Sequence, residues 1–329
     1  MTVLVFDDCY ASGVTGPIDV FHIANQLWVH HHGAGEPLFR WRLVSPDGAS
    51  VRTSTGLRLE VDGSLEDGSG ADAVWVPGSH YESDEQMLAL IERLRRSVHQ
   101  WLQQQYEEGA VLAANCNGAF LLAATGLLEN RRSTTSWWLA RLFREQYPNV
   151  DLRPRELITE DDRLLCAGAV TAHLNLALRL VERYAGQHLA LLCARTMLID
   201  ANRMSQAPYM MLQTHLKHAD DLVLQAQSWM QDHLQQTFNL HDIAGELNVS
   251  QRTFIRRFKR ATGETPIGYL QNLRIETAKR LLESTVLSLE EIIARVGYTD
   301  TSSFRRLFKR QTQLSPREYR KQFSIGGRN

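Results

Sequence analysis

The sequence predicts two domains of different class: an α/β N-terminal domain built on an open, mostly parallel sheet, and an all-α C-terminal domain with two helix-turn-helix units. Three observations carry that expectation. Short apolar runs alternate with amphipathic helical stretches over the N-terminal two thirds, one structural unit occurs twice near the C-terminus, and charge is divided unevenly along the chain. A chain of 329 residues is long for one core and suits about two domains. Apolar residues make up 43% and charged residues 22%, the balance of a globular protein rather than a disordered or membrane-embedded one.

The N-terminal elements follow in order. Val3 to Phe6 reads as a first buried strand, with no basic lead-in of the kind a signal peptide carries. Trp41 to Ser45, Ala73 to Pro77 and Val111 to Asn115 read as further buried strands, bounded by turns such as Pro46-Asp47-Gly48 and Pro77-Gly78-Ser79. Met87, Leu88, Ile91, Leu94, Val98 and Leu102 fall on one stripe of a helix. Strands alternating with helices imply a parallel sheet covered on both faces, with ligands beyond the carboxyl ends of its strands. One strand end stands out. Asn115-Cys116-Asn117-Gly118 runs straight into an apolar helix expected from Ala119 to Leu128. Cys116 would then occupy a sharp strand-to-helix turn, the geometry of a nucleophile elbow; a buried packing cysteine fits the same spacing.

The four cysteines, Cys9, Cys116, Cys166 and Cys193, lie far apart with no C-x-x-C pair, so neither a zinc site nor a disulfide framework is expected, and a cytoplasmic setting fits best. His30-His31-His32 reads as a solvated helix end, because adjacent side chains diverge and no acidic or cysteine partner is near. No metal, no cofactor and no membrane span is expected. The helical stretches Leu174 to Val181 and His188 to Ile199 suit either a core or a dimer seam, and a homodimer through the N-terminal domain is expected. Residues 200–221, with Pro208 and no clean periodicity, read as a linker between a sensor domain at 1–199 and a C-terminal domain at 222–325.

In that C-terminal domain the repeat has an offset of 50. Ile243-Ala244 aligns with Ile293-Ala294, Phe254 with Phe304, Phe258-Lys259-Arg260 with Phe308-Lys309-Arg310, Thr262 with Thr312, Pro266 with Pro316 and Tyr269 with Tyr319. Each unit reads as a supporting helix, a turn and a second helix. Leu240, Ile243, Ala244 and Leu247 form the first supporting face, and Ser250 is placed to cap a helix that buries Phe254 and Phe258. Leu289, Ile292, Ile293 and Val296 form the second, Gly297 permits the turn, and Phe304 and Phe308 anchor the last helix of the pair. Ile267 to Leu282 reads as the helix joining the units, and Pro266 and Pro316 sit at helix starts.

Charge completes the picture. From residue 251 onward there are 17 basic and 7 acidic residues, against 19 and 30 before it, so one end of the molecule is built to meet a polyanion. Two arginine-bearing helices held by one rigid connector can enter consecutive major grooves, about 34 Å apart. A small bundle with solvated basic faces is the plainer reading of a single such unit; doubling with charge on the second helix of each pair argues for DNA.

Residues 222–325 resemble the AraC/XylS DNA-binding domain, above all Ala294-Arg295-Val296-Gly297-Tyr298-Thr299-Asp300-Thr301-Ser302-Ser303-Phe304 and Ser315-Pro316-Arg317-Glu318-Tyr319-Arg320. The resemblance implies base reading by Arg252, Arg256, Ser302 and Arg306, within a DNA-facing set that also takes in Gln251, Lys259, Thr301, Arg305 and Lys309. Gln313 departs from it, since the family has glycine there. Residues 1–195 resemble the PfpI-like branch of the class I glutamine amidotransferase superfamily, in the form fused to AraC-type domains in GlxA-like regulators. The carrying segments are Gly16-Pro17-Ile18-Asp19-Val20-Phe21, Val76-Pro77-Gly78-Ser79, Asn115-Cys116-Asn117-Gly118-Ala119-Phe120 and Arg132-Ser133-Thr134-Thr135-Ser136-Trp137. It implies a flavodoxin-like sheet, a double-stranded DNA partner, RNA polymerase as a partner if the chain is an activator, and a small-molecule effector.

The departures bear on catalysis. Ser136 stands where the GlxA-like pattern places histidine, Ala114 replaces the elbow glycine, and no acidic residue lies between Tyr10 and Pro17. A cysteine nucleophile needs a base within reach, so no catalytic residue is expected. The expected effector pocket is lined by Cys116, Asn117, Gly78, Ser79, Ser136 and Trp137. Amides after Cys116 suit a carboxylate and indole faces suit an ammonium group; the resemblance adds arginine, carnitine and betaine-type compounds as the class. Two rivals remain open: a cysteine-dependent amidase or hydrolase with a nucleic-acid-binding tail, and a redox sensor working through Cys116.

Overall fold

The computed structural model describes residues 1–33, 35–211, 220–236 and 238–324. The chain divides into two compact units, Met1–Gln206 and Ala207–Asn329.

In the first unit, short apolar segments make strands and the stretches between them make helices: β1 (Thr2–Leu4), α1 (Ala11–His32), β2 (Arg42–Val44), the small pair β3 (Val51–Arg52) and β4 (Arg58–Leu59), β5 (Ala73–Val76), α2 (Asp84–Glu107), β6 (Val111–Asn115), α3 (Gly118–Ala124), β7 (Arg132–Ser133), α4 (Ala140–Gln146), β8 (Asp151–Leu152), β9 (Ile158–Asp161), β10 (Leu164–Ala167) and α5 (Ala172–Thr196). Six strands form one sheet in the order β2-β1-β5-β6-β10-β9, parallel except for β9 at its edge. The α/β, flavodoxin-like expectation is met: β5 and β6 are buried along their whole length, as continuous apolar strands covered on both faces must be. The order reverses between β1 and β5, which makes their carboxyl ends the natural crevice.

Helix packing explains two sequence features. Ser83 caps α2 by accepting from Gln86 N, and Met87, Ile91, Leu94, Val98 and Leu102 bury one face of it. A Cβ on Gly16 of α1 would lie 2.5 Å from Nε2 of His173, so the glycine lets α1 and α5 close on each other. α5 is interrupted at Gly186, at φ 83°. The helix after Cys116 is shorter than expected: it ends at Ala124, Thr125 bonds back to Leu122 O, and Gly126 turns the chain at φ 81°. α1 ends at His32, and the side chains of His31 and His32 lie outside the described residues. Among the described residues no three His, Cys, Asp or Glu side chains gather as a metal site, and no helix is long and apolar enough to cross a membrane. Of the expected linker, Ser205 Oγ and Gln206 N both donate to the Arg155 carbonyl, and residues 212–219 lie outside the described residues.

The second unit is helical: α6 (Asp221–Asp232), α7 (Leu240–Glu246), α8 (Gln251–Thr262), α9 (Pro266–Ser284), α10 (Leu289–Arg295), α11 (Thr301–Thr312) and α12 (Pro316–Phe323). Two separate cores result, one around Phe254, Phe258 and Tyr269, the other around Phe304, Phe308 and Tyr319. The repeat is real but not gap-free. α8 and α11 keep the offset of 50, whereas the supporting helices α7 and α10 are related by 49. Ile243 and Ala244 therefore correspond to Ile292 and Ile293, not to Ile293-Ala294; both members of each pair are buried and Ala294 is exposed. The second turn holds one more residue, with Asp300 as the cap of α11 where Ser250 caps α8.

Candidate DNA-reading face and effector site

The cap side chains fix where each exposed helix of the second unit begins. Ser250 accepts from Thr253 N at 3.2 Å, and Asp300 accepts from Ser302 N and Ser303 N at 3.0 and 2.9 Å. With Phe254 and Phe258, or Phe304 and Phe308, turned inward, the opposite face of each helix points to solvent. Gln251, Arg252, Arg256 and Lys259 are exposed on α8, and Ser302, Arg305, Arg306 and Lys309 on α11; Thr301 is half-buried. Arg306 also donates to Ser303 Oγ at 3.0 Å, which holds it along the helix. Arg257 faces the other way, paired with Asp220 through two bonds of 2.6 and 3.0 Å.

In the first unit the three strand ends are stitched together. Cys9 bridges to Ser79, Tyr10 N donates to Gly78 O, and the Asn117 amide binds Ser79 three times: it accepts from the backbone N at 2.7 Å and donates to O and Oγ at 3.2 and 3.0 Å. Cys116 sits in the elbow at φ 57°, in the left-handed region that a non-glycine residue occupies only where its surroundings impose it. A Cβ on Gly78 would lie 2.7 Å from that of Cys116, so the glycine is what allows the two strand ends to meet. Cys116 Sγ lies 3.0 Å from Ser136 Oγ, and Thr135 Oγ1 donates to Cys116 O at 2.8 Å.

The structure thus brings Cys116, Asn117, Gly78, Ser79 and Ser136 together, all of them buried. Trp137 is half-buried beside them, with its ring edge-on to Trp138 at 5.4 Å between centroids. Among the described residues no histidine or carboxylate hydrogen-bonds Cys116, and burial pushes its thiol pKa up against the smaller opposing effect of the Ser136 bond. Backbone amides at the elbow are largely committed: Cys116 N to Ala167 O, Ala119 N to Cys116 O and Phe120 N to Asn117 O.

Two aromatic neighbours, Tyr10 and Tyr81, escaped the sequence reading. Trp138 Nε1 donates to Tyr81 OH at 2.7 Å, and both Tyr81 and Tyr10 lie within electrostatic reach of Cys116. Tyr10 and Tyr81 each follow a strand end by a few residues, the one sequence signal that points to the crevice.

Comparison with known proteins agrees with both halves. The DJ-1/PfpI family model matches residues 1–183, and a helix-turn-helix domain model matches residues 243–322. The HTH-type transcriptional regulators GbdR and CdhR of Pseudomonas aeruginosa are 25% and 27% identical over 324 and 313 residues, covering 98% and 94% of this chain and 84% and 87% of those proteins. The HTH-type transcriptional activator RhaS of Escherichia coli is 34% identical over 109 residues, 33% of this chain and 39% of its own length. A solved transcriptional regulator protein from Vibrio parahaemolyticus shares the fold, with a TM-score of 0.52 at 18% identity over 60% of this chain and 97% of that one. The chain belongs to the DJ-1/PfpI family, in the form that continues into an AraC-type helix-turn-helix domain.

Proposed function

We propose that this DNA-binding transcription regulator reads a bipartite duplex site with α8 and α11 and adjusts its activity to a small nitrogen metabolite held by the DJ-1/PfpI-like unit. The observation that carries the reading is the pair of twelve-residue helices, each with a buried Phe pair and an exposed arginine row. Arg252, Arg256, Ser302 and Arg306 are assigned to bases, with Gln251, Lys259, Thr301, Arg305 and Lys309 on the backbone and flanks. Selection of duplexes from a random pool by the full chain, followed by footprinting, tests it: a protected two-part site supports the assignment, and a flat profile refutes it.

For the effector, the half-buried rings of Tyr10 and Tyr81, within electrostatic reach of Cys116, and of Trp137, next in the chain to Ser136, favour an ammonium or trimethylammonium head over an anion. Thermal shifts with arginine, carnitine and glycine betaine check this class, and no shift with any of them removes it. We assign no enzymatic role to Cys116, because a serine hydroxyl is no general base for a thiol whose pKa is raised. The same raised pKa and burial disfavour oxidant sensing there. A homodimer through the first unit, and RNA polymerase contact if the chain activates, complete the proposal.

A further inference from the structure

The two cores of the helical unit exchange at one point of α9. Leu273 belongs to the first core and Ile275 to the second, so Arg274 sits where one gives way to the other. Its guanidinium donates to Gln236 O at 2.8 Å on the first side, stands 5.7 Å from the ring centre of Phe238, and lies 5.3 Å from that of Tyr298 on the second side. No carboxylate among the described residues pairs with it, and its Nε is buried without a hydrogen-bond partner. Its side chain also bonds to Tyr298, so its partners lie on both sides of the boundary. A half-buried cation held by a carbonyl and two rings without a carboxylate is a poor source of stability, which suits a geometric role.

Two further contacts cross the same boundary. A Cβ on Gly297 would run into Leu234 O and lie 2.7 Å from Arg274 Nη2, so the turn before α11 closes directly on the chain just after α6, in the first core. Gln311 of α11 donates to Asn272 Oδ1 at 3.0 Å, and Asn272 donates to Glu264 Oε2 at 2.8 Å in the turn between α8 and α9. The second arginine-bearing helix is thereby tied to the C-terminal end of the first.

We propose that Arg274 and the Gln311–Asn272–Glu264 chain are positioning residues for DNA recognition, which hold α8 and α11 at one spacing and one rotational phase, so that the regulator discriminates between sites by the number of base pairs separating their halves. This rests on the DNA-reading assignment above. One inserted base pair moves a half-site by about 3.4 Å and rotates it by about 35°, which a bolted pair of helices cannot follow.

The test uses the full chain and a duplex selected by it from a random pool, compared with the same duplex carrying one extra base pair between its halves. The wild-type chain should lose about tenfold or more in affinity on insertion. Arg274→Met, which keeps the stem and removes the charge, and the double variant Asn272→Ala/Gln311→Ala should bind the selected site more weakly but lose only about threefold on insertion. Both are checked for cooperative unfolding, and the double variant carries the test if Arg274→Met does not fold. A folded variant that weakens on both duplexes by the same factor overturns the proposal, because a merely structural role would do that. A wild-type chain that enriches no sequence removes the DNA-reading assignment and this proposal together.

Discussion

Gly263 and Gln313 occupy the same left-handed position, at φ 77° and 62°, one at the end of each arginine-bearing helix. Each donates its backbone N–H to a lysine carbonyl four residues back, Lys259 or Lys309, at 2.9 and 2.8 Å. Glycine adopts this conformation freely and glutamine does not, so the second copy of the motif carries strain that the first avoids. Gln313→Gly should stabilise the helical unit by about 0.5–1 kcal/mol. Gly263→Ala should destabilise it by a similar amount, and thermal unfolding of the two variants reads both signs.

Base reading and phosphate binding separate by mutation. Arg256→Ala and Arg306→Ala should each relax preference at particular base pairs by about 1–3 kcal/mol. Lys259→Ala should weaken all sequences alike and flatten the salt dependence. Equal losses on the selected site and on random competitor for the arginine variants would move those residues from bases to phosphates.

Asp220 joins two roles, since it caps α6 by accepting from Val223 N at 3.3 Å and holds Arg257 through both oxygens. The Arg257 guanidinium keeps its carboxyl below the usual carboxylate range. A depressed pKa means that this contribution is present above the ordinary carboxylate pKa and is lost as pH falls through the depressed one. Asp220→Ala should cost about 1–2 kcal/mol and remove that part of the acid sensitivity, as urea titrations at two pH values would show.

Burial pushes the thiols of Cys9, Cys166 and Cys193 from an ordinary 9.0 up to about 11, and that of Cys116 upward as well. The folded state therefore retains protons that the unfolded chain releases, so stability holds below pH 9 and falls as pH rises toward 11. At neutral pH a thiol reagent should label these cysteines only at the rate of unfolding, and Cys116→Ala should leave DNA binding intact. Rapid labelling of native Cys116 would reopen the reactive-thiol reading.

How much of this was legible beforehand follows from particular residues. The runs Ala73–Val76 and Val111–Asn115 announced central strands because both faces are buried, and the fifty-residue spacing announced two matching helix pairs. The pair β9 and β10 went unread: Ile158–Asp161 is a half-exposed edge strand with two acidic residues, and Leu164–Ala167 is a four-residue apolar run too short for periodicity to classify. The extra residue in the second turn was invisible, because Ile292, Ile293 and Ala294 supply an apolar match at either offset.

Sequence by itself determined the central strands, the two classes of domain and the exposed arginine rows, since periodicity and capping are local properties that a few neighbouring residues express. Only tertiary structure decided that Tyr10 and Tyr81 come within electrostatic reach of Cys116, that Ser136 is the thiol's partner, and that Arg274 and Gly297 lie together at the boundary of the two helical cores. Those relationships join residues far apart in the chain, and what brings them together is the closing of backbone on backbone, which leaves no periodic trace in the order of the amino acids.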